Sequence, residues 1–315
     1  MYNKKIIYSL ENEIHQRHIG EYFQIVKFNN RYYLYYCCQE MIKLVISDTL
    51  SFMNKDPIIT IDNAPGGCFS IIEDNNKLFM LCGTHGSDKK DDEIPVPDLV
   101  WPKEKRTLIN WKVKRNDRKN GMYLLSSNDG TVWEEKSEYP VLHGFVSSDS
   151  CRLGEVCFDT SPYLIKYDKQ FFFYGRLNSS LDERRICVRR SNDLVNWTLP
   201  EKINIVNEND NSFKKNYYNP VVFSCNEELY MLTPYFEACG TTKRVGQNAS
   251  TLLLKSADGI SWNVINSFLP HDGKYKNRVN DARIEGGNVF AFYRDNIWEN
   301  SDFFVSYSFP LDILV

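Results

Sequence analysis

One phrase recurs five times along this chain, and it restricts the fold more than any other feature. Each copy is a short aromatic or apolar run just after a polar turn: NNRYYLYY, NNKLFMLC, DKQFFFYG, NEELYMLT and GGNVFAFY. The runs begin near Tyr32, Leu78, Phe171, Leu229 and Val289. Three copies are followed by Ser-x-Asp-x-x-x-Trp: Ser127, Asp129 and Trp133; Ser191, Asp193 and Trp197; Ser256, Asp258 and Trp262. After the first run a worn version remains as Ser47, Asp48 and Phe52. Internal repetition of this kind decides the architecture before any local reading does.

Repeats of roughly 40 to 65 residues made of short strand-forming runs indicate a β-propeller. The runs are rich in Tyr, Phe, Val, Ile and Leu, which favour pleated, half-buried strands. The polar pair before each run reads as a hairpin turn, most clearly at Gly286 and Gly287. Each blade is then an inner strand, the turn, the aromatic strand and two outer strands. The expected fold is all-β, a single five-bladed propeller over residues 1–315. Its blades fall near 11–60, 61–145, 146–208, 209–270 and 271–315. The N-terminal strand KKIIYSL is expected to complete the last blade beside FFVSYSF, which removes a free sheet edge. The competing all-β reading is a sandwich with chance similarities. No sustained helical period is present.

The second blade is too long. The stretch 85–121, containing GSDKKDDEIPVPDLVWPKEKR, separates its aromatic strand from the next. It reads either as a solvated surface insertion or as a wall at the mouth of the ring, with Trp101 or Trp111 as a sugar-stacking surface. The Ser-Asp-Trp motifs read as structural, because they recur from blade to blade, and are expected on the outside of the ring.

Composition closes off other classes. The chain has 315 residues and a net charge of −3, with no basic tract to suggest nucleic acid. No apolar run approaches membrane-spanning length. The opening MYNKKIIYSLENE lacks the apolar segment of a signal peptide, and nine cysteines are scattered without metal-ligand spacing. Both features point to free thiols in a reducing, cytoplasmic compartment. No Gly-rich phosphate loop or zinc spacing marks a cofactor site.

In a propeller the inner strands line the axis, and the residues entering them form a shallow pocket. The entering segments are RHIGEYF, APGGCFS, GEVCFDTSP, KNYYNP and RVNDARIEGG. They concentrate His18, Glu21, Glu155, Asp159, Asp281, Arg283 and Glu285 among apolar residues. Charges near an axis are costly unless they pair or act. Converging carboxylates are what glycosidic cleavage needs, one to protonate the leaving oxygen and one to activate water or attack carbon.

The segment FDTSPYLIKYDKQFFFYGRLNSSLDERRICVRRSNDLVNWTLPE resembles the third blade of five-bladed glycoside hydrolases of families 43 and 32. The resemblance covers about forty-five residues well and the repeat pattern loosely. It implies that Asp159 orients the catalytic acid and tunes its pKa, and it also matches Arg176 of YGR. The resemblance places a general base on blade one, where Glu21 is the nearest carboxylate. It places a general acid before a proline on blade four, where YYNPVV instead has Tyr218 and Asn219 before Pro220. Either His18, Glu155 or Asp281 takes over that role, or the activity is not family-43 hydrolysis.

The expected site therefore has Asp159, Glu21 and Asp281 as catalytic carboxylates. His18, Glu155, Arg176, Tyr218, Asn219, Arg283 and Trp101 are expected to bind substrate. For Asp281 with Arg283 the structural alternative is an ion pair that closes the fifth blade. The expected partner is an oligosaccharide or polysaccharide, and the resemblance leaves room for a calcium ion on the axis. The leading function is hydrolysis of a glycosidic bond. The alternatives are a non-catalytic carbohydrate-binding propeller descended from such enzymes, an enzyme of surface-polysaccharide assembly, and a protein-interaction scaffold.

Overall fold

The structure is a computed structural model. It describes residues 3–10, 20, 22–38, 41–84, 90–94, 106–111, 121–142, 146–147, 155–157, 161–180, 183–206, 214–217, 219–238, 250–270, 279–294 and 303–314. Five antiparallel sheets each begin with an inner strand: Phe23–Phe28, Cys68–Asp74, Tyr163–Tyr167, Val221–Cys225 and Val279–Glu285. Each inner strand pairs with one of the repeated runs: Arg31–Cys38, Lys77–Thr84, Gln170–Ser180, Glu228–Ala238 or Asn288–Arg294. The inner strands adjoin one another in chain order, and the fifth adjoins the first. The result is a closed five-bladed β-propeller with no α-helix among the described residues. No helix there is long and apolar enough to cross a membrane.

The turn reading holds at all five hairpins. The central residues Asn29–Asn30, Asn75–Asn76, Asp168–Lys169, Asn226–Glu227 and Gly286–Gly287 all have positive φ. Positive φ at both central positions gives the turn the twist of its flanking strands, which is why two-residue hairpins select it. Asn and Asp tolerate that region, whereas Lys169 and Glu227 occupy it because the strands on either side leave no other register.

The aromatic runs are continuous because both faces of these strands are buried. In blade one, Tyr33, Tyr35 and Cys37 pack with Ile71, Met80 and Tyr123 of blade two. The alternate residues Tyr32, Leu34, Tyr36 and Cys38 pack with Phe292 and Phe304 of blade five. In blade three, Phe171 and Phe173 face Leu81 and Leu124 of blade two. Phe172 and Tyr174 face Val222 and Leu253 of blade four. The core is thus a set of apolar layers between blades, and the period-two alternation assigns each side chain to one layer.

The ring closes as expected. Asn3–Ser9 pairs antiparallel with Phe303–Pro310, with Lys4 opposite Tyr307 and Ile6 opposite Val305. Ile7 is fully buried in the layer between blades five and one. Other pairings among the described residues lie outside the simple repeat. Asn204–Val206 adds to the sheet of blade four, parallel to Ser261–Asn263. Within the long stretch of blade two, Lys90–Ile94 and Arg106–Trp111 form a hairpin, and Val146–Ser147 pairs with its second strand.

The Ser-Asp-Trp motifs are two overlapping turns. In each of the three, the serine hydroxyl accepts backbone N–H bonds from the second and third residues after it, as Ser127 does from Asp129 and Gly130. The aspartate Oδ1 then accepts the next two amides, as Asp129 does from Thr131 and Val132. These turns are exposed, but the aromatic residue that ends each motif is not on the outside of the ring. Trp262 is fully buried and meets Tyr174 of the preceding blade edge-on. Trp133 meets Tyr35 of the preceding blade in the same way, and Phe52 of the worn copy is fully buried in the seam with blade five. The apolar ring outweighs the polarity of the turn that carries it, so the motif anchors one blade to the one before.

Six cysteines of the described residues, Cys37, Cys38, Cys68, Cys82, Cys187 and Cys225, form no disulfide.

Candidate functional site at the head of the inner strands

An inner strand pairs on one side only and turns its other edge toward the axis, where backbone N–H and C=O groups need partners. The chain supplies them from one position. Five residues before each hairpin turn stand Gln24, Ser70, Tyr163, Val221 and Asp281. The Gln24 amide spans both backbone groups of Ile71, donating to its carbonyl at 3.0 Å and accepting from its N–H at 2.8 Å. Ser70 accepts the Leu164 amide at 2.8 Å. Asp281 accepts the Ile25 amide at 2.9 Å, and Arg283 donates to the Ile25 carbonyl at 3.2 Å. Each side chain thus satisfies the next blade's strand at the residue one step further along, at three of the five junctions. Tyr163 reaches across to blade five and donates to Asp281 at 2.6 Å.

The same offsets show that the inner strands all run in one direction. Their hairpins lie at one end of the axis and their first residues at the other. Ion pairs hold the hairpin end: Lys27 with Glu285 at 3.2 Å between blades one and five, and Lys166 with Asp74 at 2.5 Å between blades three and two. Tyr32 also donates to Glu285. Burial opposes ionisation of Glu285, but these partners outweigh it and its pKa lies below the ordinary glutamate value.

At the opposite end, Ser161 of blade three, Asn219 of blade four and Asn280 of blade five are all buried. Asn280 is the extra residue of a bulge between Val279 and Asp281, which turns it out of the regular ladder. Ser161 donates to Asn280 at 3.4 Å. Asn219 has a positive φ of 46° just before Pro220. Both atoms of its amide, Oδ1 and Nδ2, are buried without a hydrogen-bond partner among the described residues.

Of the residues expected to form the site, Asp281 lies on the axis at 2 % exposure. Burial raises its pKa to about 6, against the pull of the Arg283 charge and of the Tyr163 and Ile25 donors. Burial also lifts the Tyr163 phenol well above its ordinary value, and the Asp281 charge adds to that. Arg283 stacks over the Tyr32 ring, 5.5 Å from its centre. Asp281 and Arg283 close the fifth blade by gripping one residue, Ile25, rather than by a direct ion pair. Arg176 is buried in blade three, opposite Cys157 in the ladder, and Glu155 lies opposite Asn178. Glu21, His18, Asp159, Tyr218 and Trp101 lie outside the described residues.

Sequence reasoning missed Gln24, Ser70, Tyr163, Ser161 and Asn280. A signal existed: aligned on their turns, the inner strands carry a polar or hydroxyl-bearing residue at the same place in four blades of five.

Among the described residues no cluster of His, Cys, Asp and Glu could hold a metal ion. Each oxygen of Asp281 already accepts one donor, the Ile25 amide on one and the Tyr163 hydroxyl on the other.

No family model and no curated protein matches the chain by sequence. Solved structures do match it by shape. A thermostable family-43 glycoside hydrolase superposes with a TM-score of 0.55 at 14% identity, over 92% of this chain and 88% of that one. An N-acetylgalactosamine deacetylase from F. plautii, in complex with blood group B trisaccharide, does so with 0.56 at 12% identity, over 98% and 94%. The Bombyx mori family-32 β-fructofuranosidase BmSUC1 gives 0.54 at 14% identity, over 93% of this chain but only 62% of that one. This chain therefore spans less than two thirds of the length of the silkworm enzyme. By fold, this chain is a five-bladed propeller similar to those of family-43 and family-32 glycoside hydrolases.

Proposed function

We propose that this propeller, as one domain over residues 1–315, acts on a glycan at the head of its inner strands and hydrolyses a glycosidic bond. The observation that carries the reading is the likeness of nearly the whole chain to a family-43 glycoside hydrolase. It is supported by the two carboxylate-bearing segments whose described neighbours, Tyr22 and Ser161, head inner strands at that end. In this reading Asp159 and Glu21 are the carboxylates that meet the sugar. One protonates the leaving oxygen and the other activates water or attacks the anomeric carbon. Asp281, with both oxygens engaged, acts as a positioning residue that fixes blade five against blade one. His18, Glu155, Arg176, Tyr218, Asn219 and Arg283 belong to the substrate surroundings, and Trp101 supplies a stacking face from the insertion.

A second reading has its own observation. Asn219, a neutral amide, stands just before Pro220, where the resemblance places a general acid. A propeller that binds a glycan without cleaving it, or one that removes another group from it, needs no acid there.

The two are separated by comparing wild type with Asp159→Asn and Glu21→Gln on aryl glycosides and on a glycan array. Turnover by the wild type that collapses in either folded variant supports hydrolysis. Array binding without turnover favours the binding reading. Silence in both assays removes the glycan from the account.

A further inference from the structure

Asn219 carries two features that each disfavour folding. Its backbone lies in the left-handed region, which a non-glycine residue adopts at a cost even though asparagine adopts it more readily than most. Its amide is buried, at 1 % residue exposure, and neither Oδ1 nor Nδ2 has a hydrogen-bond partner among the described residues. Buried polar side-chain atoms in native proteins are almost always paired, and exceptions call for an explanation. Among the described residues of the flanking blades, Ser161 of blade three donates to Asn280 of blade five. A residue kept here only for its positive φ could be glycine, which needs no partner for an amide.

We propose that the Asn219 amide binds a pair of adjacent hydroxyl groups on a neutral sugar, at the head of the inner strands of blades three to five. This rests on the glycan reading and narrows it. A primary amide presents one acceptor and one donor side by side along one edge. Its complement must offer a donor and an acceptor at similar spacing. Adjacent sugar hydroxyls do so: one donates to Oδ1 while the other accepts from Nδ2. A phosphate or ionised carboxylate offers acceptors only, and would leave Oδ1 facing another oxygen. Among the described residues, the polar side chains at this level on the flanking blades, Ser161 and Asn280, are neutral as well, which suits an uncharged ligand.

The test uses the full chain with Asn219→Gly, which accepts the backbone conformation and deletes the amide. Asn219→Asp keeps the shape and exchanges the donor for an acceptor. The probes are methyl α-L-arabinofuranoside, methyl β-D-fructofuranoside and methyl α-D-galactopyranoside with their monodeoxy analogues, titrated calorimetrically. Expected for the wild type is binding of at least one parent glycoside, weakened roughly tenfold on removal of either member of one adjacent hydroxyl pair. Asn219→Gly then loses the same roughly tenfold, becomes indifferent to those two deoxygenations, and melts no lower than wild type. Asn219→Asp becomes indifferent only to loss of the hydroxyl that had accepted from Nδ2. Should Asn219→Gly bind as wild type does, or lose affinity without tracking an adjacent pair, the amide serves the turn or an ordered water. The proposal is then overturned while the glycan reading stands. If no glycoside binds the wild type the proposal also falls, and the glycan array decides the wider reading independently.

Discussion

The carboxylate of Asp281, in the last blade, accepts a hydrogen bond from the backbone amide of Ile25, in the first, across the 2.9 Å seam where the ring closes. The two residues are 256 positions apart in the chain. The seam joins the beginning of the propeller to its end, so its strength governs the cooperativity of the whole ring. Its carboxylate is also a titrating group.

Burial raises the Asp281 pKa from 3.8 to about 6. The folded chain therefore holds this proton more tightly than the unfolded chain does. The stabilisation is complete below pH ~4 and is lost as pH rises through 6, amounting to about 3 kcal/mol at most. Asp281→Asn keeps an acceptor for Ile25 and an amide for the Tyr163 hydroxyl to accept from, but it does not titrate. The unfolding free energy of wild type minus that of Asp281→Asn, from urea melts, should fall between pH 4 and pH 7. A difference that stays level over that range would sink the assignment.

The exposed turn aspartates act in the opposite sense. Backbone amides lower the pKa of Asp129 to about 2, and the Asn196 and Val195 amides hold Asp193 lower still. Their contribution is present in full above the unfolded value near 3.8 and is lost only as pH falls from there through the lowered values of the folded chain. Replacing Asp193 by alanine should lower the melting temperature more at pH 7 than at pH 2. Equal losses at both values would mean that Asp193 holds the turn independently of its charge, and would overturn the pH dependence.

Gly259 and Tyr174 form a close contact between blades four and three. The Gly259 carbonyl accepts from the Tyr174 hydroxyl at 2.9 Å and from the Trp262 indole at 3.2 Å. Gly259 has a φ of 75°, and a Cβ there would lie 2.7 Å from the Tyr174 oxygen. Gly259→Ala should cost about 2 kcal/mol or more, from positive φ and the clash together. In a Tyr174→Phe background the contact with the hydroxyl is relieved while the one with the Phe172 ring at 2.9 Å remains, so the two losses should sum to more than the double variant shows. Blade three supplies the natural contrast. There Leu194 takes the same position at φ 66°, and the preceding blade presents Leu81, which has no hydroxyl, in the same apolar cluster. Strict additivity in a denaturant double-mutant cycle would contradict this account.

Ile7 tests the closure by the N-terminal strand. It is fully buried, and its carbonyl accepts from Phe52 at 2.7 Å. Ile7→Ala should cost about 2 to 5 kcal/mol by cavity formation. Removing residues 1–9 should do more, because it exposes the edge of Phe303–Pro310 and its apolar face. Size-exclusion chromatography should then show association. A truncated chain that stays monodisperse with an unchanged melting temperature would show that the last blade closes without this strand.

The sequence made the blades legible because their physics is local. Two-residue turns demand asparagine, aspartate or glycine, and strands buried on both faces demand unbroken apolar runs. Both demands recur at each blade, so repetition amplifies a weak signal. The ring-closing strand was legible for the same reason, as an apolar run with no partner nearby in the chain. The motif turns lie on the exposed surface as expected, because polarity at Asp129 or Asp258 says where a turn lies. It does not say where a ring four residues later is sent.

The sequence by itself determined the fold class, the number of blades and the hairpins. These follow from residue type and spacing along the chain. Only the tertiary structure decided that Gln24, Ser70 and Asp281 serve the neighbouring blade's backbone rather than solvent or ligand. It also decided that Asp281 and Arg283 meet at Ile25, and that the Asn219 amide is left without a partner among the described residues. The physical reason is the same in each case. Hydrogen bonds across the axis join residues far apart in the chain, whose pairing depends on blade height and strand direction, and neither is written in any local pattern.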